Sequence, residues 1–337
     1  ALTVPAVDAG AATVVEPAIT DLGKRPAANS KEIVPFAIAL RFQTQQMVVW
    51  WLDRMAASDH GLTERMTWFW HGHWATSVDK LNYALPMFKQ NKTLRATCLG
   101  NFATMTKAMI NDGALQFWLD GQDNTVKAPN ENLGRELMEL FTLGVGRYTE
   151  DDVKNISRSL TGYQVVRSSG AVTINQNRRD KNPVTLLGTT AVFTGDSLAD
   201  FLVAREDSAK FISERLWYRF ISSTEDMPTS FSAQNAFRNR EISVAVNAMA
   251  SDPVMRDEKY AMVKSPIEWF ISACRALELR PSQLKTPNQL TNYLDKLGQV
   301  PFNPPNVGGW PAGEAWLSSA TAQYRIAFAT WLIKQSD

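Results

Sequence analysis

The stretch from Pro129 to Val153, PNENLGRELMELFTLGVGRYTEDDV, limits the fold more than any other part of the chain. Asn130 is placed to cap a helix, with Pro129 ahead of it and Glu131 in the first turn, where the helix dipole favours negative charge. Leu133, Leu137, Leu140 and Phe141 recur at helical spacing, and Gly144 stands where a left-handed residue closes a last turn. At about 100° per residue, Asn132, Arg135, Glu136 and Glu139 share a second face, with Glu136 at the border of the apolar stripe and therefore half buried. After the turn Gly144-Val145-Gly146, Thr149 and Asp152 form a capping box that opens another helix.

Two readings of these polar residues stay open. In one, Arg135 and Glu139 are an i,i+4 ion pair and the remaining groups bond to nearby main chain. In the other, Glu136, Glu139 and Asp152 include a working acid, base or metal ligand, because half-buried carboxylates near a turn acquire raised pKa values.

The rest of the chain reads as mostly α: one large, bundle-like helical domain over residues 31–337, with a small β-hairpin insert at 163–194 and an extended arm or linker at 1–30. Residues 1–30 are rich in Ala, Val, Pro and Thr without a period. Ile33 onward keeps helical spacing, Lys92 to Ile110 reads as one helix, and Thr149 to Leu160 as another. Ser265-Pro266 with Glu268 is a capping box with proline at the first helical position. Asn175 to Asn182, a basic and amide-rich loop inside the β insert, is a candidate substrate contact on the Glu136 side. Pro301 to Pro311 is too rich in proline and glycine for regular structure and, being stiff and aromatic, should pack onto something.

Trp68 to Trp74, WFWHGHW, holds two of the three histidines. In a strand, His71 and His73 would point the same way and bind zinc or copper; in a helix they diverge by about 200°. Gly72 between them suggests a helix end. A metal there would need further ligands, for which Glu136 and Glu139 are the candidates, so a divalent ion is the cofactor to look for.

With 337 residues and 45% hydrophobic content the chain can bury a large core. The 35 basic residues against 34 acidic ones leave no electrostatic footprint for nucleic acid. No apolar run approaches the roughly 18 residues of a membrane-spanning helix. Eleven tryptophans fit a helix-rich core or a groove for sugars and other flat-faced ligands. Cys98 and Cys274 could form one disulfide. The first residue is Ala and no charged-then-apolar leader follows it, which reads as a mature chain or one whose signal has been removed. The absence of a Walker loop, a G-x-G-x-x-G after a strand, a G-x-S-x-G elbow or a CxxC pair argues against nucleotide-dependent and serine-hydrolase chemistry.

Three segments together resemble one bacterial family: Trp68 to Ser77, Asn130 to Val153 running on to Gly162, and Pro304 to Trp316. They look like the family known as domain of unknown function eighteen hundred. The resemblance implies a mostly helical, exported protein, periplasmic or secreted, often encoded beside a secreted sulfatase-like protein, with no established reaction. Relatives commonly carry His-Asp in the β insert, where this chain has Arg179-Asp180. Three functions follow as expectations. The first is a hydrolase-like enzyme acting on envelope or extracellular polymers, with Glu136 as acid or base, Glu139 and Asp152 beside it, Arg135 holding an anionic group, and His71 and His73 binding metal or shuttling protons. The second is a secreted structural or binding subunit that self-associates through its N-terminal arm or recognises an envelope partner. The third is a lysozyme-like glycosidase, which needs a second carboxylate about 5 to 10 Å from Glu136.

Overall fold

The computed structural model describes residues 8–336, so the first seven residues of the expected arm lie outside it. Sixteen α-helices and two small antiparallel hairpins make up the described chain, and the fold is mostly helical, as the periodicity predicts. The buried side chains form two clusters. One gathers around the helices Phe102–Ile110, Glu150–Ser159, Gly195–Ala204 and Glu206–Phe220. The other gathers around the long helix Ile33–Ala57 and the helices Pro266–Ala276, Pro287–Lys296 and Ser319–Ser336.

The helix Leu62–His73 serves both clusters. Met66, Phe69 and Trp70 belong to the first, while Trp68 packs against the second. A helix wedged between two cores needs an apolar stripe on each of the two sides that face them. In the first turn of this helix stands Glu64, only 2% exposed, whose two oxygens accept from Arg95 at 2.8 and 2.9 Å, from Arg54 at 3.0 Å and from the Trp51 indole at 2.9 Å. Such a carboxylate is tolerated in a core only because its acceptor sites are filled.

From Asp8 onward the arm lies on the body. Asp8 caps the short helix Ala9–Ala12 and bonds to Ser58 and the Asp59 N–H, Arg54 donates to the Ala11 carbonyl, and Tyr83 donates to the Gly23 carbonyl. Val14 and Ile19 pack on the second core.

Two local expectations need correction. The segment Lys92 to Ile110 is not one helix: Ala84–Thr97 ends, and Phe102–Ile110 begins afresh after Asn101, whose side chain accepts the Ala103 N–H at 2.9 Å. An Asn after a Gly is a restart signal that the uninterrupted apolar spacing conceals. The small β insert is present, but as two separate hairpins, Tyr163–Val166 with Ala171–Ile174 and Val184–Leu186 with Thr189–Ala191, rather than one. The loop between them folds onto its own surroundings: Arg178 donates to the Gln122 carbonyl and Arg158 donates to Asp180 at 2.7 Å. Cys98 and Cys274 are both buried and free, and they belong to different clusters, so no disulfide joins them.

Candidate functional site

The helix that begins at Asn132 is regular through Glu136 and then widens to π-helical winding over Leu137–Thr142. The Leu143 N–H donates to the Met138 carbonyl at 2.8 Å, five residues back, and the Thr142 hydroxyl reaches the Leu137 carbonyl at 2.6 Å. Windings of this kind are uncommon and concentrate at functional sites. Gly134 is needed for a different reason: a Cβ there would stand 2.5 Å from the Ser157 hydroxyl, so only glycine lets this helix cross Glu150–Ser159 so closely.

Most of the polar groups expected to be reactive here already have partners. Arg135 grips Glu150 through two bonds of 2.8 and 2.9 Å and also donates to Glu131 at 3.2 Å; the Glu150 bond chiefly raises its pKa. The expected Arg135–Glu139 pair does not form, because Glu139 accepts instead from the Tyr148 hydroxyl. Asp152 completes the capping box with Thr149 and accepts the Leu187 N–H at 2.6 Å. Burial pushes its pKa up, but these bonds outweigh burial and hold it below the usual carboxylate range. Among the described residues the Glu136 side chain has no bonding partner; burial, and then the Glu139 charge, raise its pKa against the pull of Arg135.

The imidazoles lie elsewhere and face opposite ways, as their position in a helix end dictates. His71 Nε2 accepts the Phe302 N–H at 3.0 Å, which places its proton on Nδ1. His73 Nε2 meets the Phe141 carbonyl at 2.9 Å, which requires the other tautomer, and leaves Nδ1 buried without a partner. Burial lowers both pKa values to about 3, with Arg215 adding to the effect at His73, so both rings are neutral near pH 7. His73 therefore meets the Glu136 helix through its main chain and not through its acids. Neither ring bonds to a carboxylate among the described residues, and no three His, Cys, Asp or Glu side chains there gather closely enough to hold a metal ion.

What the two histidines do is join the three motifs, His71 reaching the third through its ring contact with Trp310, 5.5 Å between centroids. His73 fastens the end of its helix to the carboxylate-bearing helix, and His71 fastens it to the loop from Pro301 to Pro311. Phe302 sits there at φ 66°, a strained conformation for a side chain of its size, fixed through its N–H by His71 and through its carbonyl by the Val78 N–H at 2.8 Å. Gly309, at φ 79°, lies so close to Gly72 that a Cβ would meet the Gly72 carbonyl at 2.2 Å.

This junction creates a cleft that local sequence reasoning does not reveal. Part-buried Trp68 stacks on Trp310 with ring centroids 5.0 Å apart and 22° between planes. Beside them lies a cavity of about 250 Å³, lined also by Phe69, Phe220, Trp316, Arg65, Arg219, Lys264 and Glu268. A second cavity of about 440 Å³ shares Arg65, Trp68, Lys264 and Glu268 with it. The second falls within the roughly 300–1,000 Å³ of small-molecule sites, and the first just below it. Arg65 donates to Glu268 at 2.8 Å, and the other Glu268 oxygen accepts the Ser265 N–H at 3.0 Å in the capping box. Arg219 donates to the Pro311 carbonyl at 2.9 Å and to the Trp310 carbonyl, closing the loop over the cleft. The indole N–H groups of Trp310 and Trp316 are buried without acceptors.

No curated protein and no solved structure matches this chain. A family model described as "Protein of unknown function (DUF1800)" matches residues 15–336, nearly the whole length and all three motifs. The chain whose two histidines draw those motifs together belongs to that family.

Proposed function

We propose that the protein binds saccharide chains of the bacterial envelope or extracellular matrix, outside the cytoplasm, and that the tryptophan cleft holds them. The observation that carries this reading is the part-buried Trp68 face, backed by Trp310 and bordered by the Arg65–Glu268 pair. The C–H face of a pyranose packs on an indole while its hydroxyl edge bonds to charged groups, so an aromatic wall with a few fixed polar groups suits a sugar ring. The setting outside the cytoplasm rests on the family resemblance. Binding is favoured over hydrolysis at this cleft because Glu268 is committed to Arg65 and to a helix cap, leaving no free acid beside Trp68 in the smaller cavity. Titrating oligosaccharides against the full chain, followed by calorimetry or tryptophan fluorescence, tests the proposal. Binding lost in Trp68→Ala, with the fold intact, supports it; unchanged binding in that variant overturns it.

A second reading keeps hydrolase chemistry alive at Glu136. Its support is that Glu136 is half buried, without a bond, and has a raised pKa, the condition of a general acid. Release of reducing ends from envelope polymers that vanishes in Glu136→Gln would establish it, and equal release by both proteins would end it.

A further inference from the structure

Resting on the saccharide reading, we infer that the cleft selects acidic sugars, chains carrying carboxylate or sulfate ester groups, and that Arg219 and Lys264 receive the anion. The smaller cavity is lined by three cationic side chains against one acid. Arg65 and Glu268 offset each other at 2.8 Å. Arg219 and Lys264 remain, and no described carboxylate lies within ion-pair distance of either. Arg219 bonds only to two neutral carbonyls, and Lys264 only to the Ser272 hydroxyl at 3.2 Å.

One turn back on the same helix, Arg215 repeats the imbalance. It has no hydrogen-bond acceptor among the described residues, its Nε is buried and unpartnered, and its guanidinium shares the Tyr218 ring with Arg219, at 5.5 and 5.4 Å. Burial, then repulsion from Arg215, lowers the pKa of Arg219 to about 10. Two like charges in successive turns without a carboxylate are costly, because buried charge is ordinarily paired. An oxyanion at Arg219 would relieve both, forming charge-assisted bonds where now there are only carbonyls. The imbalance is local, since the whole chain carries a formal charge of only +1.

The test uses the full chain and three oligosaccharides of matched length: neutral, uronate-bearing and sulfated, each at low and at high salt. Either acidic oligomer should bind about tenfold or more tightly than the neutral one, with the advantage shrinking at high salt. Arg219→Gln should abolish the preference. Because Arg219 also holds the Trp310 loop, Lys264→Gln, at an exposed side chain, provides an independent readout and should reduce the preference with the melting temperature unchanged. Neutral and acidic oligomers binding equally would overturn this inference and leave saccharide binding standing. No binding by any of the three would overturn saccharide binding itself, and this inference with it.

Discussion

His71 and His73 lie two residues apart on one helix end and are both buried, yet they are held in opposite chemical senses. His71 accepts a hydrogen bond from main chain on the side of the second core, among Trp51, Trp68 and Phe302. His73 donates one to main chain on the side of the first core, among Phe69, Trp70 and Phe141. A spacing that would bind a metal on a strand becomes, on a helix, a two-sided fastener. The consequences also differ. On the His71 side the fastener leaves an aromatic cleft open to solvent, and on the His73 side it seals a packed interior.

The largest expected effect is on the sealed side. His73→Ala removes a core ring and leaves the Phe141 carbonyl without its donor, and should cost roughly 3–5 kcal/mol in denaturant unfolding. A loss below about 1 kcal/mol would show that the ring is not a fastener. On the open side, Gly309→Ala drives a Cβ into the Gly72 carbonyl at a left-handed position, and should cost roughly 2–3 kcal/mol and weaken ligand binding together with stability.

Acid should loosen both sides. Each imidazole has a folded pKa of about 3 against an ordinary 6.5, so between those values the unfolded chain binds protons that the folded chain refuses. Stability from these rings is fully present above pH 6.5 and falls as the pH drops, by at most roughly 2 kcal/mol for each ring at pH 5. Comparing unfolding midpoints at pH 7 and pH 5 in the wild type and in His71→Ala checks the sign: the variant should show the shallower fall. The smallest effect belongs to Glu136→Gln, which breaks no bond and should alter stability by less than about 0.5 kcal/mol. A larger change would mean that Glu136 has a structural duty the hydrogen bonds do not reveal.

Capping chemistry was the most legible part of the sequence. The boxes at Thr149–Asp152 and Ser265–Glu268 both form with reciprocal bonds, because each depends on residues three apart. The half-buried state of Glu136 was also readable from its place beside the apolar stripe. The break at Asn101 was not, since apolar spacing runs across it, and the π winding was not, since it arises from packing and not from local propensity. Least legible was the cleft. Trp68, Arg219, Glu268 and Trp310 come from four distant stretches, and nothing near any one of them signals the others. Tryptophan abundance fits a helix-rich core as well as a groove for flat-faced ligands, and only the tertiary fold tells which indoles border one.

The widened turn at Leu137–Thr142 sets the direction of the carbonyls that close its helix. Its wider winding turns each residue through less than the about 100° of an α-helix, so the Phe141 carbonyl faces where regular α winding would not put it. Deleting one residue there would restore ordinary pitch and rotate the Phe141 carbonyl away from His73. The fastening of the Leu62–His73 helix to the carboxylate-bearing helix is thus tuned by chain length within a single turn, and a one-residue deletion there would undo it while leaving both histidines in place.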